Sequence, residues 1–475
     1  MKNVITKSLS LILFLFILHP AYSQQTIDGP WSGVVYVMET ELRFGVNFKT
    51  ETDSIRGAII IPEQSSKEIS LIHIEFTPPK VYFELPSGPG LAVFSGKLEG
   101  DSIKGKFTQA GMQGTFVLSR GEIKTEPKED VAEILPYKSE EVTFSNGDIK
   151  FGGTLTIPET KGKHPAVVMI TGSGPQNRDE ELFGFKSFKV IADYLTRNGI
   201  AVLRYDDRGV GESTGKSVMQ YTTEDFAGDV LEAVKFLKSR EDINSEQIGL
   251  IGHSEGGIVA PIAASKSKDI AFIVLMAGTG VKGIDVIKEQ SKLIMEAEKT
   301  PEEDIKANDE LMDMGYKIIE SNGNLENLRP ELEKEELRSY NDLSDETKNS
   351  IKDKDEYIKT MVDAQIKQFS SPWIKFFLTY DPAPALEKVK CPVLMLFGEL
   401  DLQVPPAQNK APMEKALQEG GNKDYMSVVF PKANHLFLSA NTGSPSEYAK
   451  LPKEFVPDFL DTIKDWITKR VTIVK

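Results

Sequence analysis

The sequence predicts an α/β protein: a mostly parallel sheet with helices on both faces, carrying a helical insertion and preceded by a small antiparallel all-β domain. Three observations predict it. From residue 142 to 277, near-continuous Val/Ile/Leu runs alternate with amphipathic stretches, as strands buried on both faces of a parallel sheet require. Before residue 120 the chain shows short alternating apolar runs cut by glycine instead. From residue 281 to 381 strand formers thin out, and Lys, Glu, Asp and Leu dominate.

At 475 residues, 40% hydrophobic and 27% charged, the chain is long enough for two or three units with substantial cores. Its formal net charge of -15 argues against a protein that neutralises phosphates, so nucleic acid is excluded as a partner.

Residues 1–23 read as a secretory signal. Lys2 and Lys7 precede the apolar run "LSLILFLFIL", and Ala21-Tyr22-Ser23 follows, with cleavage predicted after Ser23. Ten apolar residues cannot span a bilayer core of roughly 30 Å as a helix. A periplasmic or secreted protein with no stable membrane insertion after signal removal is therefore expected. The sole cysteine, Cys391, has no partner for an internal disulfide and is expected to fill a buried strand end.

Residues 24–120 form the predicted β-barrel or sandwich, with runs "GVVYVM", "LRFGVNF", "LIHIEF", "VYFEL", "AVFSGKL", "DSIKGKF" and "GTFVLS". In "LRFGVNF" the apolar Leu42, Phe44, Val46 and Phe48 recur at every second position, the period of a half-buried strand. No catalytic cluster is visible here. His73, inside "LIHIEF", reads as a strand histidine, packed or on the solvent face. Residues 121–140, charged and carrying two prolines, read as a linker.

The predicted catalytic unit covers residues 141–475. It opens with a hairpin around "SNGD" in Val142–Pro158. Strand "HPAVVMITG", a helix near 186–198, strand "GIAVLRYDDRG", a helix near 224–239, and strands "IGLIGH" and "IAFIVLMAG" follow. In the second helix Phe226, Val230, Val234 and Leu237 form one stripe behind threonine caps and an acidic first turn. The insertion, 281–381, reads as several helices. Because it interrupts a parallel sheet after a strand, it is expected to lie over the strands' carboxyl ends, where ligands bind, as a cap. Strand "CPVLMLFGELD", a helix near 407–419, strand "YMSVVFPKANH" and a helix near 452–469 complete the unit.

The stretch "IGHSEGG" places Ser254 between glycines directly after an apolar strand. A serine hydroxyl needs a base within hydrogen-bond reach and a third group to orient that base. Of the five histidines, His19 leaves with the signal and His73 lies in the β unit. His164 sits at a strand's amino end, and His253 adjoins the serine on a turn where neighbouring side chains diverge. His435, in the loop after the last strand, remains as the base. Asp401 leaves the carboxyl edge of the preceding strand and is the expected orienter; Glu399, Asp206 and Asp207 are weaker rivals. The oxyanion donors are expected to be the backbone N–H of Glu255 and that of Ser173 in "TGSGPQNRD", with Gly174 the alternative.

From about residue 140 onward the chain resembles the α/β-hydrolase superfamily, specifically bacterial EstD-like esterases and serine aminopeptidase-like hydrolases related to prolyl oligopeptidases. The matching text is "TGSGPQNRDE", "YDDRGVGES", "GHSEGG", "YDPAPALEKVKCPVLMLFGELDLQVPP" and "ANHLF". The resemblance implies an eight-stranded, mostly parallel sheet, a Ser254–Asp401–His435 triad and oxyanion positions at Ser173 and Glu255. Thr171 departs from it, standing where many such sequences carry histidine. Arg178 and Asp179 resemble a loop motif near the site and are expected to serve mainly as a structural ion pair.

The expected activity is hydrolysis of a small-molecule carboxylic ester through an acyl-enzyme, without metal or organic cofactor. A peptidase acting on short peptides is the close rival, and a noncatalytic binding protein on a hydrolase scaffold the third reading. The β unit is expected to narrow the pocket entrance or to mediate homodimerisation.

Overall fold

The computed structural model describes residues 26–474 apart from 38–39, 52–53, 62–64, 87–90, 110–111, 124–134, 343–347, 349–350 and 352. The predicted signal and the middle of the predicted linker lie outside the described residues.

The N-terminal region is one nine-stranded antiparallel sheet. Its strands are β1 (Gly29–Val37), β2 (Thr40–Thr50), β3 (Ile55–Ile61), β4 (Ser65–Ser70), β5 (Ile72–Thr77), β6 (Lys80–Pro86), β7 (Leu91–Glu99), β8 (Ser102–Gln109) and β9 (Met112–Arg120). Their order in the sheet is β4-β3-β2-β1-β9-β8-β7-β6-β5. Two of these strands are missing from the predicted runs for a physical reason: β3 ends in consecutive isoleucines rather than an alternation, and β4, "SSKEIS", is a polar edge strand. The alternating side chains of the other strands meet in a core of Trp31, Phe44, Phe48, Phe83, Phe94 and Phe116. Phe83 and Phe94 stack with centroids 4.6 Å apart. His73 lies on the solvent side, with φ +51°.

The second sheet has eight strands in the order β10-β11-β15-β12-β16-β17-β18-β19. Here β10 is Tyr137–Asn146, β11 Ile149–Pro158 and β12 His164–Ile170; β13 (Glu181–Leu182) and β14 (Phe185–Lys186) form a separate small hairpin. The remainder are β15 (Ala201–Tyr205), β16 (Ile243–His253), β17 (Phe272–Met276), β18 (Val393–Gly398) and β19 (Tyr425–Phe430). The β10–β11 and β11–β15 pairings are antiparallel and the others parallel. The "SNGD" turn closes as expected, Asn146 pairing with Ile149 around Gly147 at φ +55°.

Strand periodicity divides the core into two layers. Ala166, Val168 and Ile170 face one side with α2 (Thr223–Lys238) and α3 (Gly256–Lys266), while Val167 and Met169 face the other with α1 (Ser187–Arg197). Each of the larger ones, Val167, Val168, Met169 and Ile170, removed from water, contributes about 1.5–3 kcal/mol. In α2 the predicted stripe is buried at Val230, Val234 and Leu237. Thr222 caps the helix, accepting from the Asp225 N–H, while the Asp225 carboxylate accepts from the Thr222 N–H.

Between β17 and β18 the chain forms α4 (Gly283–Ala297), α5 (Glu302–Glu320), α6 (Arg329–Asp342), α7 (Lys354–Phe369), α8 (Pro372–Thr379) and the short α9 (Ala383–Leu386). Ile284, Ile319, Val362 and Phe377 of this insertion join the same apolar cluster as α2 and α3. After β18 come α10 (Pro406–Glu419), then β19, then α11 (Phe459–Thr468). This last helix starts later than the predicted 452. Pro457 has no N–H to donate, and Asp458 at its N-cap takes φ +65°, so the preceding residues turn instead of coiling. No helix among the described residues is long and apolar enough to cross a membrane.

Candidate active site

β16 runs into α3 through a turn so tight that its glycines are obligatory. A Cβ on Gly252 would sit 2.1 Å from the Gly256 carbonyl oxygen, and one on Gly256 2.2 Å from that of Ile170. Between them Ser254 is held at φ +54°, its N–H donating to Met276 O over 2.8 Å. A non-glycine residue in the left-handed region is strained, and here the strain projects a half-buried serine from the sheet's carboxyl edge. Gly256→Ala is expected to cost about 1–3 kcal/mol, because backbone of β12 or of the turn must move. A lower urea midpoint at unchanged m-value would measure it; an unchanged midpoint would mean that the turn yields freely.

His435 and Asp401 meet at the same edge. The His435 Nδ1 lies 2.9 Å from Asp401 Oδ2, with both residues buried. Asp401 follows β18 by three residues and His435 follows β19 by five, so adjacent parallel strands bring them together. The other Asp401 oxygen accepts the N–H groups of Gln403 (2.8 Å) and Val404 (2.9 Å). Burial alone would push the Asp401 carboxyl up; the His435 imidazole and these amides outweigh it and hold the carboxyl below the usual carboxylate range. The rivals are engaged elsewhere. Asp206 is bound by Arg178, Asp207 by the Thr171 hydroxyl (2.7 Å) and the Gln176 N–H (2.8 Å), and Glu399 by the Lys432 N–H (2.9 Å).

The loop after β12 lies against the serine: a Cβ on Gly172 would be 3.3 Å from Ser254 Cβ. Among the described residues, the backbone N–H groups of Ser173 and Glu255 find no acceptor within the chain. Thr171, the departure from the related sequences, packs behind this loop through its bond to Asp207. Burial and two neighbouring carboxylates, Glu255 and Glu180, drive the Asp207 carboxyl well up, partly offset by the Thr171 and Gln176 donors.

Arg178 and Asp179 do not pair with each other. Arg178 binds Asp206 (2.7 Å), Glu212 (2.8 Å) and Glu141, while Asp179 binds Arg204. Consecutive residues of an irregular loop point to different neighbours, so the expected single pair becomes two clamps between the loop and the sheet.

Several residues that the sequence did not single out complete the site. The buried Glu255 carboxylate accepts from the Thr223 hydroxyl (2.7 Å) and from Trp373 Nε1 at both oxygens (2.9 and 3.0 Å), and the Ser173 hydroxyl lies near it. Burial pushes this carboxyl up, and those donors offset only part of the shift. Trp373 belongs to α8, so the helical insertion touches the residue after the serine. A small hollow adjoins this carboxylate, with Asp207, Phe226 and Val259 in its wall, but Ser254 does not line it. The Tyr448 hydroxyl accepts from Gln403 Nε2 (3.1 Å) and lies beside the backbone N–H of His435, against the histidine loop. Glu180 was legible only as part of "TGSGPQNRDE"; Trp373 and Tyr448 carry no local motif.

Cys391, predicted to be buried, is only partly so; it lies two residues before the start of β18, and burial pushes its thiol up to about 12. Among the described residues no group of three or more His, Cys, Asp or Glu is arranged to hold a metal ion.

Comparison with known proteins adds the lineage. Residues 185–440, more than half of the chain, match the family model described as serine aminopeptidase, S33. Esterase EstD of Thermotoga maritima is 28% identical over 340 residues, covering 70% of each chain. Thiohydrolase aneE of Aspergillus aculeatus is 34% identical over 140 residues, or 28% of this chain and 40% of that one. Among solved structures, the Pyrococcus furiosus esterase Pf2001 covers 71% of this chain and 92% of its own at 16% identity, with a TM-score of 0.43. With its serine turn, its ordered acid and histidine and this match, the chain belongs to the serine aminopeptidase S33 family and is an EstD-like hydrolase of the α/β class.

Proposed function

We propose that this protein is a serine carboxylesterase working through an acyl-enzyme. The observation that carries the reading is the buried His435–Asp401 pair at 2.9 Å on the strand edge from which the strained Ser254 projects. Ser254 Oγ attacks the ester carbonyl while His435 takes its proton, and Asp401 holds the imidazole and balances its charge. The Ser173 and Glu255 N–H groups receive the oxyanion. His435 then gives its proton to the departing alkoxide, breaking the C–O bond and leaving the acyl group on Ser254. Water, deprotonated by His435, attacks that acyl carbonyl; the carboxylic acid departs and the proton returns to Ser254.

An ester is favoured over a peptide by the state of Glu255. An exopeptidase needs a carboxylate free to grip a substrate ammonium, and the buried Glu255 carboxylate is already engaged by the Thr223 hydroxyl and by Trp373 Nε1 at both oxygens. The insertion serves as the cap in this reading, anchored beside the nucleophile by Trp373. Export to the periplasm and a role of the β unit in pocket entrance or dimerisation belong to the same proposal. Short-chain nitrophenyl esters are expected to turn over at least tenfold faster than aminoacyl or prolyl arylamides at equal concentration. Faster arylamide cleavage would overturn the esterase reading in favour of the peptidase.

A further inference from the structure

His253 precedes the nucleophile and is buried, with both ring nitrogens engaged. Its Nδ1 lies 2.9 Å from Glu180 Oε1, and its Nε2 lies 3.0 Å from the backbone carbonyl oxygen of His435. The carbonyl can only accept. Glu180 Oε1 also accepts the Gly172 N–H over 2.7 Å, and the other Glu180 oxygen accepts the Ser187 hydroxyl over 3.1 Å. A neutral imidazole has one N–H and one bare lone pair, so it can serve one of these two acceptors and must repel the other; an imidazolium serves both. The chain of contacts therefore runs from Gly172, beside the oxyanion donor Ser173, through Glu180 and His253 to the backbone of His435.

We propose that His253, held as an imidazolium by Glu180, is a positioning residue that braces the oxyanion loop against the loop of the catalytic histidine, and that losing its proton disengages the two. This rests on the acyl-enzyme reading of Ser254. The titratable groups facing the ring are Glu180 from the loop after β12, Asp401 from the loop after β18 and, with ring centroids 4.8 Å apart, His435 from the loop after β19. Burial disfavours the cation, but Glu180, the His435 carbonyl and Asp401 together outweigh it and raise the ring above the ordinary histidine range. The sign follows. Stability from this raised group is complete below the unfolded-state value of about 6.5 and is lost as pH rises through the folded-state value. Activity is braced over the same range.

The test compares E180Q, H253Q and wild type by pH-stat hydrolysis of a neutral short-chain ester, with thermal melts to verify folding. The glutamine of E180Q still accepts the Gly172 N–H but no longer supports the cation, so His253 should lose its proton at lower pH than in wild type. Expected is an E180Q kcat at least about tenfold below wild type above pH 8, recovering to within about threefold on acidification to pH 6, with KM little changed. In H253Q, whose amide can reach the His435 carbonyl but does not titrate, this pH-dependent rescue should be absent. A purely structural role predicts instead a uniform loss at every pH. An E180Q profile parallel to wild type, or the same rescue persisting in H253Q, overturns the inference. Ser254→Ala separates the layers: hydrolysis persisting there sinks the acyl-enzyme reading and this inference with it, whereas an inactive Ser254→Ala with a parallel E180Q profile sinks this inference alone.

Discussion

Ser254→Ala is expected to lower kcat for ester hydrolysis by about six orders of magnitude and to abolish covalent labelling by a fluorophosphonate. In the proposed mechanism the substitution removes the one atom that forms the acyl bond. It leaves the Ser254 N–H on Met276 O and the free Ser173 and Glu255 amides in place. Alanine is no worse than serine at φ +54°, so the melting temperature should stay within the range of a neutral substitution, about 0.5 kcal/mol. The comparison isolates chemistry from folding. Labelling that survives in the variant would place the nucleophile elsewhere. A wild type that resists labelling despite an intact fold would favour the noncatalytic binding reading.

What the sequence disclosed, and what it did not, follows from the range over which each interaction acts. The serine turn was legible because its constraint is local: Gly252 and Gly256 are forced by backbone contacts within one turn and with the adjoining strand. Asp401 and His435 were legible because a parallel sheet delivers successive strand ends to one edge, so position after a strand implies position in space. Glu180, Trp373 and Tyr448 were not, since no periodicity reports how the irregular loop of Glu180, the insertion helix of Trp373 or the short helical turn of Tyr448 is set against the strand edge. The partners of Arg178 and Asp179 were mistaken on the same ground, for a loop gives no rule about which way neighbouring side chains point. In the N-terminal sheet the alternating strands were readable, while β3 and β4 lacked the alternation that a half-buried face imposes.

Asp401→Asn tests the orienting role with little change of shape. Asp401 Oδ1 accepts two backbone N–H groups, from Gln403 and Val404, so the single carbonyl oxygen of asparagine must occupy that place. Its NH₂ then faces His435 Nδ1, where Oδ2 stood. A donor there demands a bare Nδ1, which moves the ring proton to Nε2 and removes the lone pair that should accept the serine proton. The expected outcome is a kcat loss of about 10⁴-fold with KM nearly unchanged, and fluorophosphonate labelling slowed in parallel. The stability effect carries a sign of its own. Because the folded protein holds the Asp401 carboxyl below its ordinary value, the stabilisation it provides is present above about pH 4 and is lost as pH falls through the folded-state value. The gap in urea midpoint between wild type and variant should therefore be widest near neutrality and close on acidification. A variant retaining activity within tenfold of wild type, beside an inactive Ser254→Ala, would show that the histidine is oriented by another group.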